Sequence, residues 1–225
     1  MIVEGIGVSI GISIGRVFKI ENAKLEISPN LIENVDDEIN KFHRVVKDVI
    51  KDLQELRNKT AKEIDESHAK IFDAHIEFAD DPELLEQVED LIKEKKYNSA
   101  YALKEVSESF IELFNSMDDE YLKDRVNDFK DVINKITSYL LGYNNSNIKS
   151  INKRVIIVAN DLSPSDLAQI NKENVVGIIT GTGSRTSHIA IMSRSLKIPS
   201  IIGVKGIINK VKNNDLIIID GSKGI

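Results

Sequence analysis

The stretch of residues 181–196 constrains the fold most, because it sets a glycine-rich turn and a short helix between two strands. The β-branched run at 175–180 predicts a buried strand before the turn. Pro199 ends the helix, and a second strand follows it. Strands that alternate with short helices are typical of an α/β unit, so we expect an α/β domain in this part of the chain.

His188 falls in the first turn of this predicted helix, close to backbone N–H groups that have no partner within the helix. Such a helix start binds anions, and Arg185, Thr186 and Ser187 add hydrogen-bond donors around it. An imidazole in this position can act as a nucleophile whose phosphorylated form is stabilised by the helix end. Taken alone, however, a histidine near a helix start is more often structural or solvated.

A block of amphipathic helices occupies the middle of the chain. Apolar residues recur there every three or four positions with charged residues between them. The predicted helices cover about 35–64, 66–79, 82–95, 98–115 and 118–140. Asp81 is the expected N-cap of the third helix, with Pro82 at its first position. Several antiparallel helices with short connections form a bundle.

Strands are predicted on both sides of this helical block. Residues 3–20 alternate small and β-branched side chains and predict two strands around a glycine turn. A polar linker is expected at 144–147. We therefore predict a two-domain α+β or α/β fold. Residues 1–20 and 144–225 form a discontinuous α/β domain, and residues 21–143 form an antiparallel helical bundle inserted into it.

Charge and composition narrow the function classes. The formal net charge is −6, but residues 21–142 alone carry −13 and the remainder of the chain is basic. The chain has no cysteine, which excludes disulfides and thiolate metal sites. It shows neither a signal-peptide pattern nor a long apolar run, so we expect a cytoplasmic protein. Gly5, Gly7 and Gly11 do not form a dinucleotide-binding fingerprint, because no helix follows them.

The string Gly-Ser-Arg-Thr-Ser-His at 183–188, with the segments 191–196 and 198–203, resembles the phosphohistidine signature of the PEP-utilising enzymes. It is most similar to Enzyme I of the bacterial phosphotransferase system. The helical segments 71–76 and 118–125 also resemble Enzyme I, whereas dikinases and PEP synthases share only the histidine domain. Ser184 replaces a usual glycine, and a serine would be strained there if the position required a positive φ.

The resemblance implies a swivelling phosphohistidine domain and a phosphotransferase that serves sugar uptake. His188 would carry the phosphoryl group on Nε2, between phosphoenolpyruvate and the small protein HPr. The residues implied in holding the phosphate are Gly183, Arg185, Thr186 and Ser187. The residues expected to contact HPr are Glu66, His75, Ile76, Phe78, Asp81, Glu83 and Arg125, and we expect Phe78 to be too exposed to belong only to the core. The position of His68 is usually basic in the family and lies close to the active histidine.

We expect no metal ion on this chain, because His68 and His75 are seven residues apart and too distant to share one without further ligands. Enzyme I proteins continue into a large PEP-binding barrel that binds Mg²⁺ and drives dimerisation. The hairpin turn at 220–225 suggests that this chain ends before that barrel. Two alternatives remain open, namely a non-catalytic module that binds HPr and the carrier domain of a dikinase-like enzyme.

Overall fold

The computed structural model describes residues 1–21, 26–116, 120–143 and 148–225, with the backbone alone at 120–124. These residues form two compact units. The sheet unit contains residues 1–21, 62–68 and 148–225, and the helical unit contains residues 26–61 and 69–143. The predicted linker at 144–147 and the predicted helix start at Asp118 lie outside the described residues.

Five helices make up most of the middle of the chain. Their bounds are α1 Val35–Glu63, α2 Glu66–Ala79, α3 Pro82–Lys95, α4 Ser99–Ser116 and α5 Glu120–Leu140. Each helix with described side chains buries one apolar stripe, which in α1 consists of Phe42, Val46, Val49, Leu53 and Leu56. The start of α3 follows the sequence prediction, since the Asp81 carboxylate accepts a hydrogen bond from the Leu84 amide at 2.8 Å.

The sheet unit has six strands and three helices. They are β1 Ile6–Ser9, β2 Ile12–Ile20, β3 Val155–Ala159, α6 Pro164–Gln169, β4 Val175–Thr180, α7 His188–Leu196, β5 Ser200–Ile202, α8 Ile207–Lys210 and β6 Leu216–Asp220. The strand order is β1-β5-β4-β3-β2-β6, with β5, β4, β3 and β2 parallel and an antiparallel strand on each side. All five residues of β3 are buried at the centre of the sheet. The predicted combination of an α/β sheet with a helical bundle is confirmed.

The sheet curls until its two sides meet. The chain after β6 bonds back to the segment around β1, because Gly5 N donates to Gly224 O and Gly221 N donates to Gly11 O, each at 2.8 Å. A Cβ at Gly7 would stand 2.2 Å from the carbonyl oxygen of Gly221. Only glycine allows the backbones to approach this closely, which explains part of the glycine-rich N-terminal pattern.

The division into units differs from the predicted domain boundaries by a few residues at the boundary after residue 20, and by one longer segment. Residues 62–68, at the end of α1 and the start of α2, group with the sheet unit although they fall within the predicted bundle. None of the helices in the described part of the chain is long and apolar enough to cross a membrane.

Within the helical unit, Glu38 of α1 accepts hydrogen bonds from the first residue of α4. Its Oε1 accepts hydrogen bonds from the backbone N of Ser99 at 2.8 Å and from the Ser99 hydroxyl at 2.5 Å. Burial of the carboxylate opposes ionisation, but the hydrogen bonds from Ser99 outweigh it and hold the pKa of Glu38 below its ordinary value.

We expect Glu38→Gln to lower the free energy of unfolding of the helical unit by about 1 kcal/mol at neutral pH, because two charge-assisted hydrogen bonds become neutral ones. Because the pKa of Glu38 is lowered in the fold, its ionised carboxylate stabilises the fold at pH values above the ordinary pKa of 4.5. This stabilisation is lost as the pH falls below that value, so the difference in free energy of unfolding between variant and wild type should shrink in acid. Urea denaturation followed by helical circular dichroism at two pH values measures this. The exposed Glu33→Gln is the control, and an equal loss at both pH values would contradict the interpretation.

Candidate functional site

His188 is the first residue of α7, and its side chain is exposed. Ser187 occupies the N-cap in an extended conformation, with φ −66° and ψ 155°. Its hydroxyl makes no capping bond to the first turn and donates instead to the carbonyl of Ser184 at 2.8 Å. The positive end of α7 therefore lies at the surface beside an imidazole, which favours a negative charge there.

The helix behind His188 is firmly anchored in the sheet unit. Ile189 and Met192 are each 2% exposed and Ala190 is fully buried. The hydroxyl of Ser9 at the end of β1 donates to the carbonyl of Ser193 at 3.3 Å. Since the buried face is fixed in this way, α7 presents His188 from a rigid element of the fold.

The turn that leads into α7 is held at the carboxyl ends of three parallel strands. The backbone N and the hydroxyl of Thr182 both donate to the Asn160 carbonyl after β3, each at 3.0 Å. Gly203, after β5, donates to the carbonyl of Thr182 at 3.2 Å. Ligands of open α/β sheets bind at this end of the strands. The role of Asn160 was not predicted from the sequence, because it contributes a backbone carbonyl that any residue type would supply.

Backbone geometry separates Gly183 from Ser184. Gly183 has φ +117°, and a Cβ on it would lie 3.3 Å from Cβ of Ile202. Ser184 is not among the residues with positive φ. The strain considered for a serine at 184 therefore does not arise, because the turn takes its left-handed residue at 183.

The residues predicted to hold the phosphate lie close together at this turn because they are neighbours in the chain. Gly183, Arg185 and Thr186 are exposed, and Ser187 is half-buried. Nη1 of Arg185 lies 3.5 Å from the carbonyl of Gly7 in β1. The hydroxyls of Thr186 and Ser184 are 3.1 Å apart. Arg185 thus places a cation, and Thr186 a hydroxyl, within three residues of the imidazole.

A second histidine of the sheet unit contacts the same helix. Nδ1 of His68 lies 2.7 Å from both carboxylate oxygens of Asp65, and its Nε2 lies 3.4 Å from the hydroxyl of Ser195 in α7. Asp65 also accepts from the His68 backbone N at 2.9 Å, and the hydrogen bonds from the His68 amide and ring lower the pKa of Asp65. Ser195 is two helical turns from His188 on the same face of α7. The pairing of Asp65 with His68 was missed, although an Asp directly before the first residue of a helix signals a cap.

Two of the residues predicted to contact a partner need correction. His75 is 1% exposed and packs edge-on against Phe72, with Nε2 3.6 Å from a carboxylate oxygen of Asp128. It shares the buried face of α2 with Phe72 and Ala79, so its side chain is not exposed on the surface of this unit. Phe78 is half-buried, since its ring packs edge-on against Phe129 at a centroid distance of 5.5 Å. The polar neighbours of Phe78 in the sequence indicate more exposure than its half-buried ring has.

The other predicted contact residues keep some exposure. Glu66 in the sheet unit is exposed, and so is Glu83 in the helical unit. Ile76, Asp81 and Arg125 are half-buried, and Nη1 of Arg125 lies 3.2 Å from the carboxylate of Asp128. Within the described ranges, no group of three or more His, Asp or Glu side chains is placed to hold a metal ion.

Comparison with known proteins identifies relatives over the whole chain. The family model of the PEP-utilising enzyme N-terminal region matches residues 4–125, and that of the PEP-utilising enzyme mobile domain matches residues 151–224. A phosphoenolpyruvate-protein phosphotransferase of Mycoplasma capricolum is 45% identical over 223 residues, which are 99% of this chain and 39% of that protein. One from Staphylococcus aureus is 42% identical over 224 residues, with the same coverage. The chain spans about two-fifths of the length of these curated relatives.

Solved structures share the fold. An NMR structure of an Enzyme I protein is 39% identical and matches with a TM-score of 0.83, over 100% of this chain and 91% of that one. An N-terminal domain of the nitrogen-type Enzyme 1 matches with a TM-score of 0.72 over 99% of this chain and 92% of that one. At 23% identity, the second similarity concerns the fold alone.

The turn geometry predicts that substitutions at Gly183 and Ser184 differ in their effect on stability. Gly183→Ala should destabilise the sheet unit by about 1–3 kcal/mol, because alanine is strained at φ +117°. Ser184→Gly should change the free energy of unfolding by less than about 1 kcal/mol, since the serine occupies an ordinary conformation. Urea denaturation, with amide hydrogen exchange of the β4–α7 turn, measures both. A larger loss at 184 than at 183 would overturn this account of the turn.

Proposed function

We propose that this chain, which belongs to the PEP-utilising enzymes of the Enzyme I type, carries a phosphoryl group on His188 and passes it to a histidine of HPr. The observation that carries the proposal is the position of His188, exposed at the positive end of α7 directly after the anchored turn. The relatives are named phosphoenolpyruvate-protein phosphotransferases, which supports a transferase.

The chemistry needs little more than a positioned nucleophile and a place for negative charge. The lone pair of Nε2 of a neutral His188 attacks the phosphorus of the donor, a nitrogen–phosphorus bond forms, and the bond from phosphorus to the leaving group breaks with its electron pair. Transfer to a histidine of HPr is the same displacement, in which the nitrogen–phosphorus bond of His188 breaks. The proton of His188 stays on Nδ1 throughout.

The residues around His188 take separate roles in this proposal. The start of α7 and the guanidinium of Arg185 stabilise the charge of the phosphoryl group, and the hydroxyl of Thr186 donates to one of its oxygens. The hydroxyl proton of Ser187 is already directed at the Ser184 carbonyl, so Ser187 contributes through its N-cap conformation. Gly183 provides the left-handed turn.

We assign the binding of phosphoenolpyruvate and Mg²⁺ to the part of the relatives that lies outside this two-fifths of their length. His188 would then receive its phosphoryl group from that part and pass it to HPr in the cytoplasm, in support of sugar uptake. The non-catalytic HPr-binding module remains the competing function, because it needs the same surface but no phosphohistidine. The carrier domain of a dikinase has no observation in its favour.

The docking surface for HPr is proposed to be the acidic side of α2 and α3 in the helical unit. Residues 60–90 contain eleven Asp and Glu against two Lys. Glu77, Glu83 and Glu86 are exposed on these helices, and Asp80 is exposed in the turn between them. The half-buried Ile76 supplies an apolar contact beside them. A partner with a basic rim around its own histidine would be attracted to this side by complementary charge.

Incubation with phosphorylated HPr should add one phosphoryl group to this chain, and mass spectrometry should place it on His188. His188→Ala should remove the uptake with little effect on folding, because the side chain is exposed.

Arg185→Gln should slow the transfer about ten- to a hundredfold, since it removes a charge near the phosphoryl group. Phosphoenolpyruvate with Mg²⁺ should give no phosphoprotein in the absence of the remaining part. Binding of HPr without transfer would favour the competing function, and uptake by the alanine variant would exclude His188.

Charge reversal tests the docking surface separately. Glu77→Lys with Glu83→Lys should slow association with HPr at least about tenfold at low salt and much less at high salt, as expected for steering by exposed charges. Asp81 is left unchanged, because its carboxylate caps α3. The control has the same change in net charge on α1 and α4, namely Glu55→Lys with Glu112→Lys, both exposed positions. Equal association rates of the two double variants with HPr, measured by stopped flow, would show that HPr binds to a different surface.

A further inference from the structure

The sheet unit contains a cavity of about 340 Å³, widely open to solvent, at the end of the sheet away from His188. Its walls come from the start of β2, the start of β4 and the segment that follows α7. Since α7 has nine residues, its two ends lie about 12 Å apart. The cavity is therefore separate from the turn that positions His188.

Three cations surround this cavity, namely Arg154, Lys172 and Lys197. No carboxylate lines it, and none of the three side chains has an ion pair or hydrogen bond with any described residue. Some other cations of the sheet unit have side-chain partners, whereas others, such as Lys205 and Lys223, have none among the described residues. Lys19 pairs with Glu21 at 2.6 Å, and Arg16 donates to the carbonyl of Asn214 at 2.8 Å. All three side chains are exposed, so water screens their mutual repulsion and their charged groups are free to contact an anion.

The remaining walls are mostly apolar. Val176, Ile198 and Pro199 line the cavity beside the exposed Ile12. Ser13 also lines it, and its buried hydroxyl has no hydrogen-bond partner in the described part of the chain. Its oxygen is turned inward toward Gly177, so it does not offer a hydrogen bond to a ligand in the cavity. An apolar wall with a cationic rim suits an anion that carries an apolar body.

The end of α7 does not oppose an anion as strongly as a bare helix end would. The carbonyl of Ser193 already accepts from the Ile198 amide at 3.1 Å, and the carbonyl of Arg194 accepts from the Lys197 amide at 3.1 Å. Lys197 has φ 58° and closes the helix in the left-handed conformation. The negative end of the helix is therefore capped, and the charge at the cavity is that of the three cations.

We propose that this cavity is a binding site for a small phosphate monoester with an apolar body, distinct from the phosphoryl-carrying site. The volume lies within the range of about 300–1,000 Å³ that is usual for small-molecule sites. A dianionic phosphate matches two or three cations, and the apolar walls hold the ester group. The proposal stands on the cavity itself and does not depend on the chemistry of His188.

Titration of the isotopically labelled chain, followed by amide NMR shifts, tests the proposal with three probes. They are phenyl phosphate, inorganic phosphate and the neutral benzyl alcohol. Phenyl phosphate should bind tightest and shift the amides of Val176 and Ile198. Arg154→Gln with Lys172→Gln should weaken it at least about tenfold, because two of three charges are lost. Lys205→Gln with Lys223→Gln, exposed lysines outside the cavity, should bind as wild type does.

A separate variant distinguishes the cavity from the start of α7, which can also bind phosphate. Arg185→Gln should weaken any shifts of residues 183–188 and leave those of Val176 and Ile198 unchanged. Three results would overturn the proposal: shifts confined to 183–188, equal affinities for inorganic and phenyl phosphate, or unchanged affinity in the Arg154 and Lys172 double variant. A well-dispersed spectrum of each variant shows that it has folded.

Discussion

The position of His188 depends on the hydrogen bonds that Thr182 makes to its neighbours. Two of them reach the Asn160 carbonyl, each at 3.0 Å, and a third comes from Gly203 at 3.2 Å. These bonds join the chain after β3, β4 and β5 into one surface, so the turn cannot move without disturbing three strands. The exposed imidazole therefore projects from a framework that is already fixed before any partner arrives, which reduces the reorganisation needed for transfer.

Much of the fold could be predicted because local signals and tertiary packing agree. The spacing of apolar residues predicted all five long helices, and the Asp81-Pro82 pair gave the start of α3 correctly. The resemblance to the PEP-utilising enzymes, carried by the string at 183–188, is confirmed by family models over 4–125 and 151–224. Long periodic patterns are the most reliable local signal, because one face of each helix has to be buried.

The predictions from sequence fail where contact with a residue distant in the chain determines the burial of a side chain or the conformation of the backbone. Phe78 follows a glutamate and precedes two aspartates after Ala79, yet Phe129 on α5 covers its ring. His75 was expected at a surface but lies on the same face of α2 as Phe72. In the turn, the sequence could not tell which of Gly183 and Ser184 takes the positive φ, because that depends on the contact with Ile202. Such contacts are set by packing between elements, which no local pattern reports.

The parallel pairing of β2 with β3 has a consequence for the order of folding. Arg16 pairs with Val155 and Ile20 with Ala159, so this ladder joins segments separated by the entire helical block. Closing so long a loop from an unfolded chain is slow, whereas the contacts between consecutive helices span short stretches. Helices that have already packed shorten the loop that β2 and β3 must close. We therefore expect the central strands, and with them the turn before α7, to form late in folding, after the acidic helices.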